Sequence, residues 1–227
     1  MAFTKYGYDT KKYCFAELIA STFEVDNLDD LHNLRSDLLP PKQLNFDTET
    51  KTKFHETFYK RLNDGWPELI GAYELFIKNE VAPRFDNNFV YQAFPTFRVH
   101  IPNDQAIHYW HYDSDPDHMH PDWEINFQIA ITDMEGTRCT WVESVPGLKD
   151  FNPMEMNYGE YTIFNGNKCT HGNKVNQTDK MRISFDFRII PGNRYNPEYD
   201  PGQLTATAKK RFIVGDYYKK FTKEDNG

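Results

Sequence analysis

A short window of the chain, residues 108–124, concentrates side chains that commonly bind metal ions. It reads HYWHYDSDPDHMHPDWE and contains four histidines, four aspartates and a glutamate. Two His-x-Asp triplets lie inside it, one formed by His111 and Asp113 and the other by His120 and Asp122. Residues two apart on a β-strand point to the same face, so the histidine and aspartate of such a triplet could reach one ion.

A metal site of this kind needs a third ligand from another part of the chain. His171, in the stretch NGNKCTHGNKVNQT, could supply it. Two histidines and one carboxylate leave adjacent coordination positions open, which is typical of non-heme ferrous oxygenases. We favour the triplet of His111 and Asp113, because Pro121 marks the second triplet as part of a loop.

The segment 182–190, RISFDFRII, alternates between polar and apolar residues as far as Ile189. This period of two predicts a β-strand with one apolar and one polar face. The polar face carries Arg182, Ser184, Asp186 and Arg188. An arginine beside a hydroxyl is well suited to bind a carboxylate, so Arg182 and Ser184 are candidate ligand-binding residues.

The elements around these residues change character near residue 89. The first third is predicted to be helical, with a helix capped by Asp26, one carrying Phe54, Phe58 and Leu62, and one starting at Pro67. The later part predicts short strands at 97–101, 106–111, 123–131, 138–143, 160–165 and 182–190. We therefore expect a mainly β fold, a sandwich or jelly roll with helices packed on one face.

The combination of these motifs resembles a known enzyme family. The pieces FRVHIP, HYDSD, EINFQIAIT, WVESVPG, HGNKVNQT and RISFDFRIIP are similar to the Fe(II)/2-oxoglutarate-dependent oxygenases of the phytanoyl-CoA dioxygenase-like superfamily. Within that superfamily, these sequence motifs are more similar to the branch associated with streptomycin biosynthesis. The resemblance covers roughly residues 89–195 and implies a double-stranded β-helix, or cupin-like, core.

The resemblance also implies roles for individual residues. His111, Asp113 and His171 would bind Fe(II), and Arg182 and Ser184 would hold the distal carboxylate of 2-oxoglutarate. The family's cosubstrates are 2-oxoglutarate and O2, and its coproducts are succinate and CO2. Asn126 is a further candidate contact of the cosubstrate. An aspartate at position 113, where related halogenases have glycine or alanine, favours hydroxylation of a small polar metabolite such as an amino acid, a sugar or a natural-product intermediate.

Composition limits the other function classes. The formal net charge of −8 disfavours nucleic acid and anionic membranes as partners. The three cysteines and the absence of a signal-like apolar run suggest a reducing, cytoplasmic location. We expect one domain over 1–227, with helical support at 1–88, the catalytic core at 89–195 and a tail at 196–227. The tail could dock back on the barrel. The sequence pattern does not indicate an oligomeric state.

Two alternatives stay open at this point. A cupin-like metalloenzyme without 2-oxoglutarate would use the same three ligands but give Arg182 and Ser184 no role. A non-catalytic jelly-roll binding module would not depend on a metal. His108 is expected to be structural, and Asp115, Asp117 and His118 to form a solvated loop or the edge of the site. Arg98, Arg138, Asp186 and Arg188 form either an internal ion network or a polar pocket.

Overall fold

Two antiparallel sheets build the core of the protein. The computed structural model describes residues 2–40, 52–86, 88–106, 109–205 and 209–222. The strands are β1 (Phe3–Gly7), β2 (Phe89–Gln92), β3 (Thr96–His100), β4 (Ile125–Ala130), β5 (Thr140–Val142), β6 (Asn152–Pro153), β7 (Glu160–Phe164), β8 (His171–Asn173), β9 (Arg182–Pro191) and β10 (Tyr218–Phe221). The larger sheet has the order β1-β7-β4-β9-β2-β10, with β3 also paired to β9, and the smaller has the order β6-β5-β8.

This arrangement confirms the predicted fold class, a double-stranded β-helix core with helices on one face. Strand β9 is the centre of the larger sheet, because it pairs with β4 on one side and with β3 and β2 in turn on the other. Its polar residues Arg182, Asp186 and Arg188 line a cavity inside the barrel. The alternation read from the sequence therefore separates a polar interior from an apolar outer face.

The apolar outer face of β9 packs against the N-terminal helices. The helices are α1 (Thr10–Tyr13), α2 (Phe15–Phe23), α3 (Leu31–Leu34), α4 (Lys53–Asn63) and α5 (Pro67–Phe76). The ring of Phe185 lies 5.7 Å from that of Phe15, and the ring of Phe187 lies 6.2 Å from that of Phe76. Burial of these aromatic rings is the main stabilising contribution expected for this layer.

The helical predictions are confirmed at α4 and α5, and Pro67 occupies the first turn of α5. The helix expected after Asp26 is reduced to the single turn of α3, which starts at Leu31. Strand β1 was missed: it lies within the segment that was predicted to be helical, and it pairs with β7. Strand β10 shows that the tail does dock on the sheet, beside β2.

The prediction of a strand at 106–111 is wrong for the residues described there, of which only His111 takes part in β pairing. Ile107 and His108, including the structural role predicted for His108, lie outside the described residues. His111 forms a single antiparallel bridge with His171, through hydrogen bonds of 3.1 and 2.8 Å between their main chains. The pairing does not extend because the next bond of this segment, from the Asp113 amide, goes to the carbonyl of Gly166 instead.

Replacing Phe97 with alanine tests the contact between the helices and the sheet. Phe97 is fully buried and stacks on Phe58 with ring centroids 4.4 Å apart. We expect the variant to lose about 3–5 kcal/mol of unfolding free energy, measured by denaturant titration. The control is Leu34→Ala, since Leu34 is 47% exposed and its change should stay within about 0.5 kcal/mol. Equal losses in the two variants would contradict this packing.

Candidate active site

Three of the predicted site residues lie close together in the structure. His111 and Asp113 lie on the segment between β3 and β4, and His171 is the first residue of β8. Asp113 Oδ1 is 3.8 Å from His111 Nε2 and 3.7 Å from His171 Nε2. One ligand atom from each residue lies within 4.8 Å of the other two. Such a group of two histidines and one carboxylate can hold a metal ion.

Main-chain carbonyl groups orient both histidine rings. Nδ1 of His171 lies 3.1 Å from the carbonyl oxygen of Cys169, and Nδ1 of His111 lies 3.4 Å from that of Tyr109. A ring that donates its Nδ1 hydrogen to a carbonyl keeps a lone pair on Nε2, which is the form that binds a metal. Both lone pairs then face Asp113 Oδ1.

Burial sets the charge of the three residues. Loss of solvent lowers the pKa of His111 to about 2 and also lowers the pKa of His171. Burial by itself would raise the pKa of Asp113, but the Arg188 guanidinium, through its charge and its hydrogen bond, overcomes this and holds that pKa well below its usual range. The group therefore consists of two neutral imidazoles and one carboxylate near neutral pH.

The second oxygen of Asp113 is already bonded within the protein. Oδ2 accepts hydrogen bonds from Arg188 Nε at 2.7 Å and from Asn126 Nδ2 at 2.6 Å. This pairing turns Oδ1 toward the two histidines. Asn126, which the resemblance made a candidate contact of the cosubstrate, contacts Asp113 directly in the structure.

A cavity inside the barrel joins His171 to the arginines of β9. Its lining includes Arg98, Asn126, Gln128, Thr140, His171, Asn173, Arg182, Asp186 and Arg188. Arg182 Nη1 donates to Ser184 Oγ at 2.8 Å, and both side chains are buried. Among the described residues, the buried oxygens Asn126 Oδ1 and Gln128 Oε1 have no hydrogen-bond partner.

The arginines named in the sequence divide into two groups. Arg98 pairs with Asp186 at 2.8 Å, and both line the cavity together with Arg188. Arg138 is buried elsewhere and pairs with Asp29 at 2.7 Å and with Glu135 at 3.1 Å. The ion network and the polar pocket, left as alternatives above, are therefore both present.

The two residues of the second triplet separate in the structure. Asp122 has a side chain 69% exposed and pairs with Lys168 at 2.5 Å. His120 turns inward, and its Nδ1 lies 2.7 Å from Glu124 Oε2. Asp113, His120 and Glu124 form a second close group, but Arg188 Nε lies 3.8 Å from Glu124 Oε2. A guanidinium in this position disfavours a second metal ion there.

Part of the acidic loop borders the site. His118 Nδ1 lies 2.7 Å from Asp115 Oδ1, which also accepts from the amides of Asp117 and His118. The ring of His118 lies 4.6 Å from that of His111. Asp115 thus fixes a turn of the loop, and His118 forms an edge of the site.

Sequence reasoning missed Glu124 and Tyr218, whose hydroxyl donates to Glu124 Oε1. The spacing of His120 and Glu124, four residues apart, was a weak signal for the first of them. No sequence motif around Tyr218 indicates the site, because only the pairing of β10 with β2 brings Tyr218 there.

In the part of the chain that the structure describes, no helix is long and apolar enough to cross a membrane.

The fold and this site define a double-stranded β-helix protein with a buried group of two histidines and one carboxylate. The chain is 29% identical over 216 residues to the streptomycin biosynthesis protein StrG of Streptomyces griseus, covering 95% of this chain and 97% of that protein. This relative confirms the resemblance to the streptomycin-associated branch. No family model matches the chain.

The solved structures that match the chain are more distant in sequence. The structure of AviO1 from Streptomyces viridochromogenes Tue57 is 13% identical with a TM-score of 0.46, and the match covers 86% of this chain and 92% of that one. The 2-oxoglutarate-dependent carbocyclase SnoK of nogalamycin biosynthesis is 11% identical with a TM-score of 0.48, covering 97% of this chain and 92% of that one.

Proposed function

We propose that the protein is an Fe(II)/2-oxoglutarate-dependent dioxygenase that hydroxylates a C–H bond of a small polar metabolite. The observation that carries the proposal is the convergence of His111, Asp113 and His171, of which His171 also lines the cavity that contains Arg182. A metal site that adjoins a cavity with a buried guanidinium matches the two ends of a 2-oxoacid that carries a distal carboxylate.

The residues present fit an iron ion. Neutral imidazole nitrogens and one carboxylate oxygen form the facial set that ferrous oxygenases use, with positions left for further ligands. Bound iron would supply the activation of O2 that couples oxidation of 2-oxoglutarate to succinate and CO2 with oxidation of the substrate. The protein contributes the ligands, their orientation by Arg188 and the carbonyl groups, and a buried environment that limits access of water.

Arg182 and Ser184 are proposed to bind the distal carboxylate of 2-oxoglutarate. A buried guanidinium can form two parallel hydrogen bonds with a carboxylate, and the Ser184 hydroxyl can add a third. The free volume of the cavity is about 20 Å³, which is room for little more than one water molecule. Binding of 2-oxoglutarate therefore requires side chains of the cavity, such as the long Arg98 and Gln128, to move.

The proposed substrate class follows from the polar character of the site. The unpaired oxygens of Asn126 and Gln128 can accept hydrogen bonds from water, or from hydroxyl or amino groups of a substrate. StrG is a streptomycin biosynthesis protein. An amino acid, a sugar or a natural-product intermediate would be consistent with both observations.

The proposal is tested by product formation. Purified protein with Fe(II), ascorbate and 2-oxoglutarate should release succinate faster when its substrate is added from a panel of polar metabolites, and mass spectrometry should find one added oxygen atom in the product. Absence of 2-oxoglutarate binding with retained metal binding would instead favour the cupin-like metalloenzyme. Absence of metal binding would favour the non-catalytic module.

A further inference from the structure

Behind Asp113 lies a buried polar cluster of which the proposed reaction uses only Arg188. It consists of His120, Glu124, Arg188 and Tyr218, which we call the rear cluster. Glu124 is 2% exposed, Arg188 7% and Tyr218 0%. The members come from the segment before β4, from β9 and from the C-terminal strand β10. Because these segments are far apart in the sequence, the cluster can form only when the chain has folded.

Arg188 is held between two carboxylates. Its Nε lies 2.7 Å from Asp113 Oδ2 and 3.8 Å from Glu124 Oε2. If Asp113 were the arginine's one carboxylate partner, the guanidinium would offset most of the negative charge that attracts a metal cation. Because Glu124 shares the arginine's positive charge, Asp113 Oδ1 keeps a stronger attraction for a dication.

Glu124 is itself fixed in place. The Tyr218 hydroxyl donates to Glu124 Oε1, and His120 Nδ1 lies 2.7 Å from Oε2. The His120 ring packs edge-on against Phe212, with centroids 4.7 Å apart. Residues of the C-terminal segment thus support Glu124 from two directions.

We propose that Glu124, anchored by Tyr218, is a positioning residue that holds Arg188 so that Asp113 presents Oδ1 to His111 and His171. Docking of β10 is then a condition of tight metal binding. This inference rests on the proposed function, since it assigns the rear cluster to the same metal site. Residues that support a metal ligand in this way typically change metal affinity about 10- to 100-fold when they are replaced.

The test measures binding of Co(II), followed by its visible absorption spectrum without turnover. We expect Glu124→Gln to raise the dissociation constant for Co(II) by about 10- to 100-fold and Tyr218→Phe to raise it by a smaller factor. Glutamine keeps the size of Glu124 but loses its charge. If Glu124→Gln does not fold, as judged by circular dichroism, Tyr218→Phe decides the question.

Tyr13 and Glu80 provide a matched control pair. The Tyr13 hydroxyl donates to Glu80 Oε1 at 2.6 Å within the helical layer, and Tyr13 is fully buried. We expect Tyr13→Phe and Glu80→Gln to lower the thermal midpoint without changing the dissociation constant for Co(II). Equal weakening of Co(II) binding in the control pair would overturn the proposal, because the effect would then be general destabilisation.

The remaining outcomes separate this inference from the proposed function. If folded Glu124→Gln and Tyr218→Phe bind Co(II) as tightly as the parent, the positioning role is wrong and the proposed function is unaffected. If the parent binds Co(II) but not 2-oxoglutarate, the proposed function fails, and the positioning role still stands or falls on the measured dissociation constants. A parent that binds no Co(II) would overturn both.

Discussion

Replacing Asp113 with alanine should abolish tight Fe(II) binding and 2-oxoglutarate turnover. Asp113 Oδ1 is the one carboxylate oxygen of the proposed ligand set, at 3.8 and 3.7 Å from the two histidine nitrogens. The loss of metal affinity should exceed the roughly 10- to 100-fold typical for a residue that only supports a ligand. Anaerobic Fe(II) titration and succinate release measure the two effects.

The matched control is the aspartate of the second triplet. Asp122 is exposed and pairs with Lys168 at the surface, so Asp122→Ala should change stability by no more than about 1 kcal/mol and leave Fe(II) binding unchanged. Removing Asp113 also leaves the buried Arg188 without its closest carboxylate. Asp113→Asn, which keeps the side-chain size, is therefore measured as well, with circular dichroism as the test of folding. Loss of Fe(II) binding in Asp122→Ala, with retention in folded Asp113→Asn, would show that the ligand set is misassigned.

Replacing Arg182 with alanine should weaken 2-oxoglutarate binding while largely sparing the metal. Hydrogen bonds to a charged group are worth about 1.5–3 kcal/mol, so the dissociation constant for 2-oxoglutarate should rise about 10- to 100-fold. The dissociation constant for Fe(II) should change much less, since Arg182 is not one of the three proposed metal ligands and its Nη1 donates to Ser184 Oγ. Calorimetric titration of each ligand in the absence of O2 measures both constants.

Two lysine variants control for the loss of a buried arginine. Arg182→Lys keeps the charge but loses the planar fork, so it should bind 2-oxoglutarate with intermediate affinity. Arg138 is equally buried but lies outside the cavity lining, so Arg138→Lys should lower stability and leave 2-oxoglutarate binding intact. Parallel loss of Fe(II) and 2-oxoglutarate in Arg182→Ala would mean that the cosubstrate site is misplaced.

The sequence predicted those parts of the site that depend on local periodicity. The alternation of β9 correctly places Arg182, Asp186 and Arg188 on the cavity side and the phenylalanines against the helices. Pro121 predicts a loop at the second triplet, where Asp122 is exposed, whereas Asp113 of the first triplet is buried. These features follow from residue spacing along a single strand or loop, which the chain itself determines.

Features that depend on pairing between distant segments were not predictable in this way. Among the described residues, an isolated bridge between His111 and His171 stands where a strand at 106–111 was expected. The partner of His111 belongs to β8 of the smaller sheet, which the local sequence around His111 does not indicate. Strands β8 and β10 are short, at three and four residues, and carry little periodic signal. Tyr218 reaches Glu124 only because β10 pairs with β2, a contact that no local pattern encodes.

Anaerobic titration of the parent protein with Fe(II) and 2-oxoglutarate tests the central claim most directly. A 2-oxoacid chelated to ferrous iron gives a visible metal-to-ligand charge-transfer band. We expect this band to appear and to saturate at one Fe(II) and one 2-oxoglutarate per chain, to be absent in Asp113→Ala, and to require more 2-oxoglutarate in Arg182→Ala. A parent protein that binds Fe(II) but develops no such band at saturating 2-oxoglutarate would contradict the account.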